Sequence, residues 1–230
     1  MESSFKVIVF TPVWGRHEIL KLWALGVDRL THQTPQIEIE ALCIVSNKED
    51  KELVLSLGLE CVECENKPLG KKHNAGLEAL RYRDFDYILQ LGSDDLASNN
   101  YLNYALPAMT AGLDIFGVSA LYFCEPKTEK ACRFELSTQA NKLMGAGRFI
   151  SHRAIKELDY KLWPDDVNKG LDMTSQANLS AKGFIPHIIN TTDICILDLK
   201  SETNIWPYKT FGDYYPAVDY QEATKNFPEL

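Results

Sequence analysis

The sequence predicts an α/β fold, a central, mostly parallel sheet flanked by helices, and three observations carry that prediction. Short apolar, β-branched runs alternate with amphipathic stretches through the first hundred residues, the pattern of a parallel sheet covered on both faces. Polar and charged residues gather just past the end of several of these runs, where open α/β sheets bind ligands. The 230 residues are 45% hydrophobic and 24% charged, which is ordinary globular composition and enough for one domain with a sizeable core.

Residues 5–11 are the first buried strand, ended by Pro12 and Gly15. Residues 17–30 place Ile19, Leu20, Trp23, Val27 and Leu30 at helical spacing. A strand at 37–45, a helix at 50–57 closed by Gly58, a strand at 59–64, a helix at 72–81 and a strand at 87–91 continue the alternation. A helix at 99–111 follows, then an apolar strand at 115–123 with a hairpin partner at 130–136. Past Gly145 and Gly147 come a strand at 148–151, a helix at 152–158 and a helix at 173–182 ended by Gly183. Residues 185–199 hold one or two late strands, and the aromatic, proline-bearing stretch from 200 onward reads as a tail or lid.

Composition excludes several function classes. Lys and Arg number 24 against 32 Asp and Glu, a formal net charge of −8, with an isoelectric point of about 5.2. Such a surface does not suit non-specific binding of polyanionic nucleic acid. No apolar run approaches the ~18 to 20 residues of a membrane-spanning helix, and residues 1–6 lack the basic and apolar regions of a signal peptide. A cytoplasmic location and six reduced cysteines are the expectation. Cys61 and Cys64 have metal-clip spacing with no second pair close behind, and read as thiols of a short strand. Neither a G-x-G-x-x-G fingerprint after the first strand nor a phosphate-binding G-x-x-x-x-G-K-[ST] loop is present, which argues against a dehydrogenase or a P-loop NTPase.

Asp94 and Asp95 follow an apolar strand, a place suited to holding Mg²⁺ or Mn²⁺ beside ligand phosphates. Capping of a following turn by Ser93 or Asp95 is the alternative.

Four segments, in order, carry a family resemblance. They are residues 7–12 with Arg16; Pro68, Gly70, Asn74 and Gly76; residues 87–95, ending Leu-Gly-Ser-Asp-Asp; and residues 145–149 with Gly170, Leu171, Asp172, Gly183 and Phe184. Together they resemble a GT-A glycosyltransferase of the family 2 type, which uses nucleotide-sugars. Gly92 stands where that family often has its first aspartate.

The resemblance implies a single GT-A domain over 1–230, with a nucleotide-binding half at 5–95, an acceptor-side half at 96–199 and a lid or tail at 200–230. It implies inverting transfer of a sugar from a nucleotide-diphosphate sugar, a UDP-sugar first, to a hydroxyl acceptor with Mn²⁺ or Mg²⁺. Asp95 is the preferred metal ligand, joined by Asp94 and, late in the chain, Asp198 or His187. Thr11, Pro12, Arg16, Asn47, Lys71, Asn74, Ser93 and Asp94 are the donor-binding candidates, with Lys72 and His73 beside them. Asp172 is the candidate general base, with Asp165 and Asp166 as the competing carboxylates. Trp14, Trp163, Trp206 and Tyr208 are candidate stacking groups, and residues 198–206 a loop suited to closing over the phosphates. The acceptor is a glycan, a small molecule or another hydroxyl-bearing substrate; the −8 charge disfavours a modified DNA base. A nucleotidyltransferase and an inert nucleotide-sugar or glycan-binding module are the rival readings.

Overall fold

The structure, a computed structural model, describes residues 4–136, 141–201, 207–212 and 214–230. Trp206, named above as a stacking group, and most of the closing loop at 198–206 lie outside the described residues.

The first half follows the alternation: β1 (Phe5–Pro12), α1 (His17–Leu30), β2 (Ile37–Val45), α2 (Lys48–Ser56), β3 (Glu60–Glu63), α3 (Leu69–Ala79) and β4 (Tyr87–Gln90). β1 lies parallel to β2 and β4, and β2 parallel to β3. Successive β1 side chains point to opposite faces. Val7 and Val9 join the core with Trp23 and Val27, whereas Ile8 and Phe10 join another with Leu77 and Leu80.

The remaining elements are β5 (Asp95–Ala97), α4 (Tyr101–Thr110), β6 (Ile115–Gly117), β7 (Ala120–Glu125), β8 (Lys130–Glu135), β9 (Arg148–Ser151), α5 (His152–Glu157), α6 (Leu171–Ala181), β10 (Pro186–Ile188), β11 (Ile196–Leu199), β12 (Ala217–Val218) and α7 (Tyr220–Thr224). They correct the expected fold class. In place of one central, mostly parallel sheet, the strands divide between two sheets, ordered β10-β6-β9-β4-β1-β2-β3 and β12-β8-β7-β11-β5. The first is mixed, because β9 runs antiparallel to both β4 and β6. The second is antiparallel except for the β7–β11 pair. The single-sheet GT-A domain expected from the sequence is therefore withdrawn.

The physical reason lies at 115–123, read from sequence as one strand. The chain leaves the first sheet after Gly117 and enters the second at Ala120. Between them, Ile189 N–H donates to Gly117 O at 2.7 Å and Met144 N–H to Val118 O at 2.8 Å. Apolarity continues across this step, so hydrophobic pattern alone does not mark it. The second sheet buries a core of its own, in which Leu96, Cys124, Leu197 and Leu199 meet Ala223 and Phe227 near the C-terminus. Arg29 ties α1 to Glu229 with an Nε–Oε1 distance of 2.5 Å. All six cysteines are free, and burial pushes the Cys43, Cys124 and Cys195 thiols up to about 12.

Candidate active site

The carboxyl ends of β1 and β2 are held by buried charge. Asp50, in the first turn of α2, is wholly buried. Its carboxylate accepts from Gly15 N–H at 3.0 and 3.2 Å and from Asn47 Nδ2 at 2.8 Å, and lies 2.9 Å from His17 Nε2. Asn47 Oδ1 in turn accepts from Asp50 N–H, capping α2. Lys72, also wholly buried, donates to Val13 O at 2.6 Å and to Asn66 Oδ1 at 3.1 Å. Burial lowers its pKa to about 8, against the pull of Asp50. These groups fix residues 13–15. Arg16 follows in the left-handed region at φ 53, pairs with the Asp94 carboxylate and donates to Ser93 Oγ at 3.1 Å.

The segment from Gly70 to Gly76 is explained by close packing of α3. A Cβ at Gly76 would come within 2.6 Å of Ile44 and Phe10, and one at Gly70 would overlap the Pro164 carbonyl. Asn74 Nδ2 donates to Trp163 O at 2.7 Å and to Asp165 Oδ1 at 2.8 Å, joining α3 to the 163–165 loop. Lys71 points outward and pairs with Glu65 at 3.2 Å.

Beyond β4 the chain makes a tight turn. Gly92 N–H donates to Asp95 Oδ2 at 2.7 Å, and Asp95 N–H to Gly92 O at 2.9 Å. Asp95 thus opens β5, where its antiparallel register partner on β11 is Asp198. Lys200, two residues further along, donates to Asp198 Oδ2 at 2.6 Å, with its ammonium 4.6 Å from the centre of the Phe123 ring. Burial raises both carboxyls above the ordinary range. Asp198 and Asp94 add to this at Asp95, Asp94 adds to it at Asp198, and Lys200 opposes it at each.

Asp95, Asp198 and Lys200 line a cavity of about 340 Å³ together with Pro12, His73, Gln90 and Asp172. Asp172 is exposed in the first turn of α6, a favourable place for a carboxylate. Its carboxylate packs on Gly145, where any side chain would overlap it. The backbone below is fixed by Arg148, whose wholly buried guanidinium donates to Asp172 O, Met144 O, Leu143 O and Ser175 Oγ. His73 Nδ1 lies 2.8 Å from Leu69 O, and its ring centre is 4.8 Å from that of Trp163. Burial lowers its pKa to about 4.

Of the residues singled out from sequence, Pro12, His73, Asp95, Asp172 and Asp198 meet in this cavity. Arg16, Ser93 and Asp94 form an adjoining hydrogen-bonded group. Thr11 is wholly buried in β1. Asn47 belongs to the Asp50 cluster, Asn74 to the α3 contact and Lys71 to the surface. His187 lies on β10 at the far edge of the first sheet, and Tyr208 lines a separate cavity with Glu129 and Lys130. Gln90 lines the site without having been singled out, and Lys200 was named only as part of the closing loop. Each left a signal: Gln90 is polar in an otherwise apolar strand, and Lys200 follows Asp198 just past the end of β11.

Asp95 and Asp198 are the carboxylates that could hold a divalent cation. Among the described residues Asp198 Oδ1 is buried without a hydrogen-bond partner, and two carboxylates with phosphate oxygens suffice for Mg²⁺ or Mn²⁺. Among the described residues no cluster of three or more His, Cys, Asp or Glu side chains offers a complete protein cage.

Comparison with known proteins places the fold. No protein family and no curated protein sequence matches the chain. Among solved structures, S. aureus TarS 1–349 superposes with a TM-score of 0.62 at 13% identity over 84% of this chain and 60% of that one. The mannosyltransferase PcManGT from Pyrobaculum calidifontis, in complex with GDP-Man and Mn²⁺, gives 0.63 at 14% identity over 87% and 59%. A second structure of S. aureus TarS gives 0.63 at 14% identity over 85% and 37%. The chain therefore shares its fold with these structures, a mannosyltransferase among them, and spans about three fifths or less of those chains. Among the described residues no helix is long and apolar enough to cross a membrane.

Proposed function

We propose that the chain transfers a sugar from a nucleoside-diphosphate sugar to a hydroxyl acceptor, with inversion at the anomeric carbon. The observation that carries this reading is the meeting of Asp95 and Asp198 with Asp172 in one cavity of this fold. Asp172, whose backbone carbonyl is held by Arg148 and whose carboxylate packs on a glycine, is placed to take the proton of the acceptor hydroxyl. The acceptor oxygen then bonds to the anomeric carbon as the bond to the diphosphate breaks, and the nucleoside diphosphate leaves with its electron pair. Mn²⁺ or Mg²⁺ on Asp95 and Asp198 would neutralise that leaving charge. Lys200 lines the same cavity and adds a cation of the chain's own. In this reading residues 5–95 serve the nucleotide, 96–199 the acceptor, and Lys200 and Phe211, from the expected tail, border the donor.

A calorimetric panel of UDP, GDP, TDP and CDP, each with and without Mn²⁺, tests the donor. UDP is the first expectation, and GDP is the nucleotide of the donor bound to PcManGT. One nucleotide is expected to bind, to lose at least tenfold in affinity in Asp95→Asn, and to keep its affinity in Asp172→Asn while transfer of labelled sugar is lost. Failure of every nucleotide to bind overturns the reading. Binding without hydrolysis or transfer of a labelled donor indicates an inert binding module.

A further inference from the structure

We infer that Gln90 reads a hydroxyl of the transferred sugar, and so sets which sugar-nucleotide the site accepts; the inference rests on the donor reading above. Gln90 ends β4, one turn before Asp95, and is 9% exposed. Its neighbours in the strand, Tyr87, Ile88 and Leu89, are apolar and buried, so packing alone would favour another apolar residue there. Its backbone is fixed, since Gly147 N–H donates to Gln90 O at 2.8 Å. Its amide is not: among the described residues Oε1 is buried without any hydrogen-bond partner.

A buried amide oxygen left without a partner is costly and calls for an explanation, and at the edge of a cavity a bound hydroxyl supplies one. The side chain borders the cavity that holds Asp95, Asp198 and Asp172. A sugar whose anomeric carbon lies between the diphosphate at Asp95 and Asp198 and an acceptor at Asp172 occupies the stretch that Gln90 borders. The cavity of about 340 Å³ leaves room for a ring, and Phe123 and Phe211 supply apolar wall. Turning about its last side-chain bond, the amide offers either a donor or an acceptor to a hydroxyl, which is both.

Gln90→Met tests this, since methionine keeps length and apolar packing and removes the amide. Calorimetry compares UDP with UDP-glucose and GDP with GDP-mannose, on wild type and variant, after thermal melts verify folding. The expected result is a loss of about tenfold for the sugar-nucleotide, the scale of one hydrogen bond, with the bare nucleotide changed less than twofold. Equal weakening of both, or of neither, overturns the role of Gln90 while the donor reading stands. No binding of any nucleotide to the wild type overturns both.

Discussion

Two groups of buried polar side chains lie close together in this molecule, and they are built differently. Under the loop that follows β1, Asp50 and Lys72 are wholly buried, and each has hydrogen-bond partners from the loop itself. In the cavity beyond β4, Asp95 lies near Asp198, and among the described residues Asp198 Oδ1 and Gln90 Oε1 have no partner. A satisfied buried network adds rigidity, whereas an unsatisfied one costs stability unless something else completes it. The first group holds backbone; in the proposed reading the second takes a ligand. Arg16 and Asp94 join them, since Arg16 leaves the held loop and pairs with the carboxylate beside Asp95.

That contrast breaks if substitutions in the two groups act alike on stability. The largest effect is expected at Asp50→Ala, which strips acceptors from Gly15 N–H, Asn47 and His17. Urea unfolding should show a loss of about 3 kcal/mol, and a loss below about 1 kcal/mol would mean that the loop is held by something else. Next comes His73, whose satisfied, buried imidazole titrates near pH 4 in the native chain against 6.5 when free. Between those values the unfolded chain binds the extra proton. Stability from this group is therefore complete above about pH 6.5 and is lost as pH falls toward 4, by up to about 3 kcal/mol. Unfolding free energies from pH 4 to 7 should be flatter in His73→Leu, and an unchanged slope contradicts the burial argument. The smallest effect has the opposite sign. Asp198→Asn removes one of two mutually repelling carboxyls and should stabilise the ligand-free protein by about 1 kcal/mol, read as a higher Tm at neutral pH. A lower Tm would show that the Lys200–Asp198 pair outweighs the repulsion.

Much of the first half was legible as sequence. Residues 17–30 and 37–45 match α1 and β2 at both ends, because local periodicity and the turn residues around them agree. Elsewhere the boundaries moved: the helix expected at 72–81 begins at Leu69, where Pro68 caps it without a side-chain bond. β5 was missed altogether, being three residues long and beginning at the acidic motif. At the site, Asp95 was singled out by its residue type and its place after an apolar strand, and Asp172 and Asp198 by the family resemblance. Asn47 and Asn74 had the same signal, yet the structure spends their hydrogen bonds on Asp50 and on the 163–165 loop. A polar residue at an element's end serves a ligand or its own backbone, and only its neighbours in space decide which.

The sequence by itself determined the alternation of strands and helices through residue 91, the acidic stretch after it, and the carboxylates the chain brings to one cavity. Those features rest on local pattern: side-chain period, turn residues and charge placed at element ends. Only the tertiary structure decided that the strands form two sheets, that β6 and β7 part company at Gly117, and that Asp198 returns to lie opposite Asp95. Strand pairing across a hundred residues is set by which buried surfaces meet and which backbone groups remain to be paired, and neither is written in any window of sequence.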